Sequence, residues 1–306
     1  MLAVQKLIDK ARVLIEALPY ISQFRGRRVV VKIGGAALEN LALRERFAED
    51  IVLLGWVGIE VVVVHGGGKQ ITQLLDRLGL EPRFVDGMRV TDAATLEVVE
   101  MVLGGALNQE IVRLVNKLGG RAVGLTGKDG SLARARRQTE PDLGLVGRIT
   151  SMDTSVLEHL EPHFIPIIAP LAVDESGAGS LNVNADVFAA HLAAALGAEK
   201  LVLLTDVVGV RGADGELLPS ITADKARELI AAEVITGGMI PKIEYALAAL
   251  DAGVRKVHII DGRLEHALLL EIFTAEGVGT QVIAQTGQTG VQADKDGHRA
   301  VPEEKS

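Results

Sequence analysis

Cysteine is absent from the 306 residues, which removes disulfides, thiolate nucleophiles, zinc ribbons and iron–sulfur clusters together. A basic excess is also missing. Lys plus Arg is 32 against 40 for Asp plus Glu, a formal charge of −8, which argues against a dominant nucleic-acid partner but allows a local pocket for a small anion. No apolar run approaches the ~20 residues of a membrane span, and the N-terminus lacks the uninterrupted apolar stretch of a signal peptide. Three phosphate-handling motifs fail as well. Lys69 is followed by Gln70, so GxxxxGK[ST] is not met, residues 126–129 do not meet it either, and GxGxxG and protein-kinase catalytic-loop motifs are not found. Aromatic residues make up only 3%, while Gly numbers 34 and hydrophobic residues reach 48%. The expectation is a soluble, cytoplasmic α/β protein of about two domains, at roughly 150 residues each.

Residues 1–18 have helical periodicity, with Leu7, Ala11, Leu14 and Leu18 on one stripe, and Pro19 is expected to stop the helix. Such a helix either packs on its own domain or serves as an arm for another subunit. Val/Ile-rich runs then recur at 29–33, 59–64, 122–125, 164–169, 200–204, 256–260 and 281–284. Helix-period segments lie between most of them, at 42–54, 71–78, 96–118, 187–196 and 245–252. Strands apolar at nearly every position belong in an open, mainly parallel sheet flanked by helices. Residues 131–137 and 143–149 read as a hairpin projecting from that sheet, and 212–215 as a further turn. The boundary between two lobes falls near Gly197, where a helix ends before the run at Lys200. Residues 286–306 are polar and aperiodic, and disorder is expected there.

Ligands of open α/β sheets bind beyond the carboxyl ends of the strands. Two glycine clusters stand there: Gly34-Gly35, just after Lys32, and Gly66-Gly67-Gly68, opening a helix. Glycines at a strand-to-helix turn let backbone N–H groups approach an anion, which the helix dipole also favours. Lys32 closes a Val29-Val30-Val31 run, where an unpaired charge would be costly to bury. A third cluster, residues 182–186, reads NVNAD before an Ala-rich helix, and taken alone it is a helix cap. A fourth, GGMIPK at 237–242, also sits at a helix entry.

Taken in order, KIGGAAL (32–38), VVVHGGGKQI (62–71), GMRVTD (87–92), LNVNAD (181–186), LLTDVVGV (203–210) and GGMIPK (237–242) resemble the amino acid kinase family. The likeness runs from about residue 29 to 284. It implies the fold of that family, with residues 21–197 as the acceptor lobe, 198–285 as the nucleotide lobe and 1–20 as an added N-terminal helix. GMRVTD with NVNAD points to N-acetyl-L-glutamate as the acceptor, its side-chain carboxylate taking the γ-phosphoryl group of ATP in arginine biosynthesis. By the same resemblance Lys32 and Lys242 stabilise the group in flight and Asp186 orients both. Gly34, Gly35 and Gly67 offer N–H donors to phosphate, Gly66, Gly67, Gly68, Arg89 and Asn182 hold the acceptor, and Thr205, Asp206, Gly209 and Val210 face the nucleotide. Mg²⁺ is held chiefly by the ATP phosphates, with no protein ligand assigned. Arg148 departs from the pattern, standing where the family more often has an acid.

The stretch from His258 through Glu271 to Gly277 resembles the signature of the family's arginine-inhibited members, which also carry the extra N-terminal helix. This implies feedback by arginine at Tyr20, Lys200, His258, Glu271 and Gly277, and a hexamer formed as a trimer of dimers. Docking of a PII-type signalling protein stays open. Two alternatives remain at this point: a sibling kinase with another acidic acceptor, and a non-catalytic arginine-sensing protein on the same fold.

Overall fold

Runs that are apolar on both faces need cover on both sides, and β1 (Arg28–Ile33) and β2 (Glu60–His65) receive it. Val29, Val31 and Ile33 enter one apolar core and Val30 the other. The computed structural model describes residues 2–160, 163–177, 179–274 and 277–284; the tail expected to be disordered lies outside them. Further strands are β3 (Phe84–Val85), β4 (Met88–Arg89), β5 (Ala122–Thr126), β6 (Ala133–Arg137), β7 (Gly147–Met152), β8 (Ile165–Ala169) and β9 (Leu171–Asp174). They continue with β10 (Ser180–Asn182), β11 (Lys200–Thr205), β12 (Ser220–Thr222), β13 (Lys256–Asp261) and β14 (Thr280–Ile283).

Eight of these form one sheet in the order β12-β14-β13-β11-β1-β2-β8-β5, parallel throughout except at β13–β14. This is the open, mainly parallel α/β sheet implied by the sequence. Strands from before Gly197 occupy one side and those from after it the other. They meet where β1 pairs with β11, Val29 opposite Lys200 and Lys32 opposite Leu203. The expected hairpin is present as β6–β7, but it belongs to a separate four-stranded sheet, β10-β9-β6-β7.

The helices are α1 (Leu2–Phe24), α2 (Ala36–Glu39), α3 (Leu41–Trp56), α4 (Gly68–Arg77), α5 (Ala93–Glu100) and α6 (Asn108–Lys117). After them come α7 (Ser155–Glu158), α8 (Ala185–Ala195), α9 (Ala223–Ala231), α10 (Met239–Asp251) and α11 (Ala267–Phe273). Gly197 follows α8 with φ +59°, the left-handed turn that ends a helix without steric cost. Two helix expectations need correction. The segment 96–118 is interrupted by a π-helical stretch, Met101–Leu107, between α5 and α6. Pro19 lies inside α1 rather than ending it. A proline removes one helix bond, at about 3 kcal/mol, but the residues beyond it are held by packing. Phe24 is buried, with Lys200 Nζ 4.4 Å from its ring centre. Nearer the N-terminus, Val13, Leu14, Ile15 and Leu18 stay exposed, Leu14 at 71%. Among the described residues no helix is long and apolar enough to cross a membrane.

Candidate active site

The cleft is built where β1 and β2 end side by side. β1 delivers Lys32, and the Gly66 N–H donates to the Ile33 carbonyl at 2.9 Å, tying the glycine turn to β1. Across from them Asn184 caps α8, its Oδ1 accepting from the N–H groups of Asp186 (2.8 Å) and Val187 (3.2 Å). That cap fixes Asp186 in the first turn, and Lys32 Nζ lies 3.0 Å from its Oδ1, both side chains largely buried. The contact is ionic and lacks the angle of a hydrogen bond. Gly34 makes room for it, because a Cβ there would sit 2.6 Å from Lys32 Nζ.

Lys32, Gly66, Gly67, Gly68, Arg89, Asn182 and Asp186 line one cleft of about 250 Å³. Arg89, on β4, donates through Nη2 to the Gly68 carbonyl and to Thr72 Oγ1, both at 2.8 Å, and its guanidinium stacks 4.8 Å from the Phe84 ring centre. Its Nη1 is buried without a partner among the described residues. An unmade buried bond costs about 1–3 kcal/mol, so Arg89 presents a donor suited to an anion. Burial lowers its pKa, yet a guanidinium stays charged. Asn182 donates through Nδ2 to Thr91 Oγ1 at 3.2 Å.

Lys242, Gly34, Gly35, Thr205, Asp206, Gly209 and Val210 do not line this cleft. Lys242 donates to the Gly238 carbonyl at 3.2 Å, so the expected pairing of Asp186 with both lysines is made by Lys32 alone. Its position in the first turn of α10 puts that carbonyl within reach. Asp206 reaches from the end of β11 to the turn after β1, where its Oδ1 accepts from the Ala36 N–H at 2.8 Å. Gly35, with φ +54°, packs against that carboxylate, and any Cβ there would collide with it. Val210 is buried in a core and its N–H donates to Thr280 Oγ1 at 2.8 Å. Gly209 packs against the same threonine, and Thr205 Oγ1 accepts from the Val207 N–H at 3.2 Å. Arg148 donates back to Gln138 Oε1 (3.4 Å) and to the Glu140 carbonyl (3.3 Å), tying its own hairpin together.

A second cluster forms where α1, β11, β13 and α11 meet. His258 Nδ1 donates to Glu271 Oε1 at 2.5 Å with both side chains buried, and Glu271 Oε2 accepts from the Val278 N–H at 2.7 Å. Gly277 sits against that carboxylate; a Cβ would come within 2.8 Å of Oε2. Burial pushes Lys200 down to about 8 and also lowers His258. Burial alone would raise Glu271, but the His258 hydrogen bond and the nearby cations hold it below the usual carboxylate value. His258 Nε2 is buried and unpaired. Tyr20 packs on the same core as buried Phe24.

Sequence reasoning missed two polar pairs, the buried His65–Asn108 and the half-buried Asp50–His266. A histidine closing an apolar strand ahead of three glycines was a signal for the first. Asn108 carried none, being one polar residue in a helical run.

The profile of the amino acid kinase family matches residues 27–261. An acetylglutamate kinase of Acinetobacter baumannii is 53% identical over 294 residues, covering 92% of this chain and 97% of that protein. The N-acetylglutamate synthase of Neisseria gonorrhoeae, solved with coenzyme A and N-acetyl-glutamate, superimposes with a TM-score of 0.80 at 31% identity. That match covers 90% of this chain but 64% of the synthase chain. The same synthase with coenzyme A and L-arginine gives a TM-score of 0.76 at 30% identity, covering 90% of this chain and 65% of that one.

Proposed function

The chain belongs to the amino acid kinase family, and on that premise we propose that it transfers the γ-phosphoryl group of ATP to the side-chain carboxylate of N-acetyl-L-glutamate. The product is an acyl phosphate for arginine biosynthesis. The observation that carries this reading is one cleft holding both the Lys32–Asp186 pair and Arg89 with its unpaired Nη1.

The chemistry asks for charge cancellation rather than a base. A carboxylate of pKa about 4.3 is already ionised at neutral pH, so the nucleophile needs no proton removed. Two unit charges 4 Å apart at an effective dielectric near 20 interact by about 4 kcal/mol. Cations must therefore converge on the phosphoryl group as the acceptor approaches. In this reading Arg89 pairs with the acceptor's other carboxylate, Asn182 and the 66–68 turn bind its remaining polar groups, and Lys32 neutralises the transferring group. Lys242 exchanges the Gly238 carbonyl for the phosphoryl oxygens as the lobes close, reaching Asp186 from the other side. ATP enters over Gly34 and Gly35, where the lack of side chains makes room for Lys32 Nζ and the Asp206 carboxylate beside the turn. Asp186 in the cleft and Asp206 beyond it are already engaged by Lys32 and the Ala36 N–H, so Mg²⁺ would be held chiefly by the nucleotide phosphates and would add to the charge cancellation there. We assign residues 21–197 to the acceptor and 198–285 to the nucleotide, in a cytoplasmic enzyme.

Arginine feedback is part of the same proposal. The buried Glu271 carboxylate, with His258 and Gly277 against it, suits a cationic effector. The exposed apolar residues of α1 beside it would interlace with those of a neighbouring dimer in a hexamer.

An acceptor panel tests the reading: N-acetylglutamate, glutamate and aspartate with ATP, the acyl phosphate trapped as hydroxamate, with and without arginine. Turnover of the acetylated acceptor, suppressed by arginine, is expected. Faster turnover of a free amino acid would favour a sibling kinase, and arginine binding without turnover would favour a sensor.

A further inference from the structure

The glycine turn of the cleft rests on buried polar groups that the phosphoryl-transfer chemistry does not use. His65 ends β2 and is wholly buried. Its Nδ1 lies 2.9 Å from the Gly66 carbonyl and its Nε2 lies 3.2 Å from Asn108 Nδ2. Asn108 is buried too, and its Nδ2 also donates to the carbonyls of Ile167 (2.8 Å) and Leu125 (3.3 Å). Those carbonyls admit only the amino side of the amide, so Asn108 is a donor toward His65. Nε2 must then be the acceptor, and the ring proton sits on Nδ1 and goes to the Gly66 carbonyl.

That last bond fixes a peptide plane. In a trans peptide the C=O and the following N–H point in opposite directions. With the Gly66 oxygen turned to the buried ring, the Gly67 N–H is turned away from it. The Gly66 N–H is spent on the Ile33 carbonyl, whereas among the described residues the Gly67 N–H has no internal acceptor. Gly67 is further clamped from behind by the π-helical stretch, because a Cβ there would meet Leu103 at 2.5 Å and Leu107 at 2.9 Å. The same stretch leads directly into Asn108, and short π segments often occur at functional sites.

We propose that His65 and Asn108 are positioning residues: Asn108 selects the Nδ1–H form of His65, which turns the Gly66–Gly67 peptide so that the Gly67 N–H donates to the bound acceptor. This deepens the reading above, since it rests on the cleft being the acceptor site. Burial is consistent with it, holding the ring neutral with a pKa of about 4.

The test uses two isosteres in the full-length enzyme. The side-chain nitrogen of Asn falls near the place of His Nδ1, and that of Gln near Nε2. His65→Asn should therefore keep the bond to Gly66, with an acceptor KM within about threefold of wild type. His65→Gln and Asn108→Ala should raise the acceptor KM about tenfold, with the KM for ATP unchanged. Equal acceptor KM values for His65→Asn and His65→Gln would overturn the proposal, as would equal effects on both substrates. Nitrogen-15 NMR of the wild-type imidazole gives a reading that needs no variant: an Nδ1–H tautomer at neutral pH is expected, and an Nε2–H tautomer overturns the proposal. Loss of the kinase reading itself would show differently, as wild-type protein without turnover of N-acetylglutamate, and would leave the tautomer result standing.

Discussion

His266 Nδ1 lies 2.6 Å from Asp50 Oδ1, joining α3 to the start of α11 across 216 residues of sequence. Asp50 is buried while His266 is partly open, and His266 adopts φ +55°, a left-handed conformation uncommon for a side-chain-bearing residue. Burial raises the Asp50 pKa from 3.8 to about 6 despite the hydrogen bond from His266. Between those two values the folded chain keeps a proton that the unfolded chain has released. The Asp50 contribution to stability is therefore largest below pH 3.8, shrinks as pH rises, and is gone above about 6. Asp50→Asn should remove this slope, so that its stability gains on wild type from pH 4 to 7 by an amount on the order of 2 kcal/mol, seen as a melting temperature that rises relative to wild type over that range. A constant difference between the two melting curves across that range would contradict the assignment.

Lys32→Ala removes the cation that stands beside Asp186 at the end of β1. Turnover should fall at least ~100-fold, and the melting temperature should drop as well, because Asp186 is left largely buried without its cation; rates are therefore compared well below the variant's melting temperature. Single-turnover measurement of acyl phosphate formation checks it, and near-wild-type rates would remove Lys32 from the chemistry.

Arg89 offers a planar fork of which Nη2 is already committed to Gly68 and Thr72. Arg89→Ala should raise the acceptor KM by about tenfold or more and leave the ATP KM in place. Arg89→Lys should not restore it, since an ammonium cannot hold the turn and a carboxylate with the same geometry. Initial-rate kinetics with each substrate varied in turn separates these outcomes.

Glu271 is the single carboxylate against which His258, Gly277 and Val278 all pack. Glu271→Gln keeps the shape and removes the charge, so the arginine concentration for half-inhibition should rise at least about tenfold with uninhibited turnover kept. Deleting residues 1–18 should likewise blunt inhibition and leave dimers in place of the proposed hexamer, read by light scattering. An unchanged inhibition curve together with an unchanged mass would end the effector proposal.

The sheet was legible because its pattern is simple. Val29 to Ile33 is apolar on every side except at Lys32, and only a strand covered on both faces tolerates that. The cleft was legible where glycine or a charge interrupts such a run, as at Lys32, Gly66 and Asp186. What escaped depends on contacts made far along the chain. Pro19 carries a local stop signal, yet Phe24 packing under Lys200 keeps the helix going past it. β9 and β10 are too short to show alternation, and β9 takes its second partner, β6, from far back in the chain. Val210 belongs to a motif, but Thr280, 70 residues away, decides where its N–H goes. Lys242 was placed beside Asp186 by resemblance, and the side chain instead satisfies its own helix entry.

The seam between the two halves is a ladder of backbone bonds, with Lys200 opposite Val29 and Leu203 opposite Lys32. Three rungs at about 3.3 Å each put Lys200 and Lys32 some 10 Å apart along neighbouring strands. Sliding along that seam is barred, because a slip of one residue would move every side chain of the strand from the core it fits into the other. Twisting about it is not. On the effector proposal, arginine bound at one end would reach the other as a change of tilt, with the paired strands as the fulcrum.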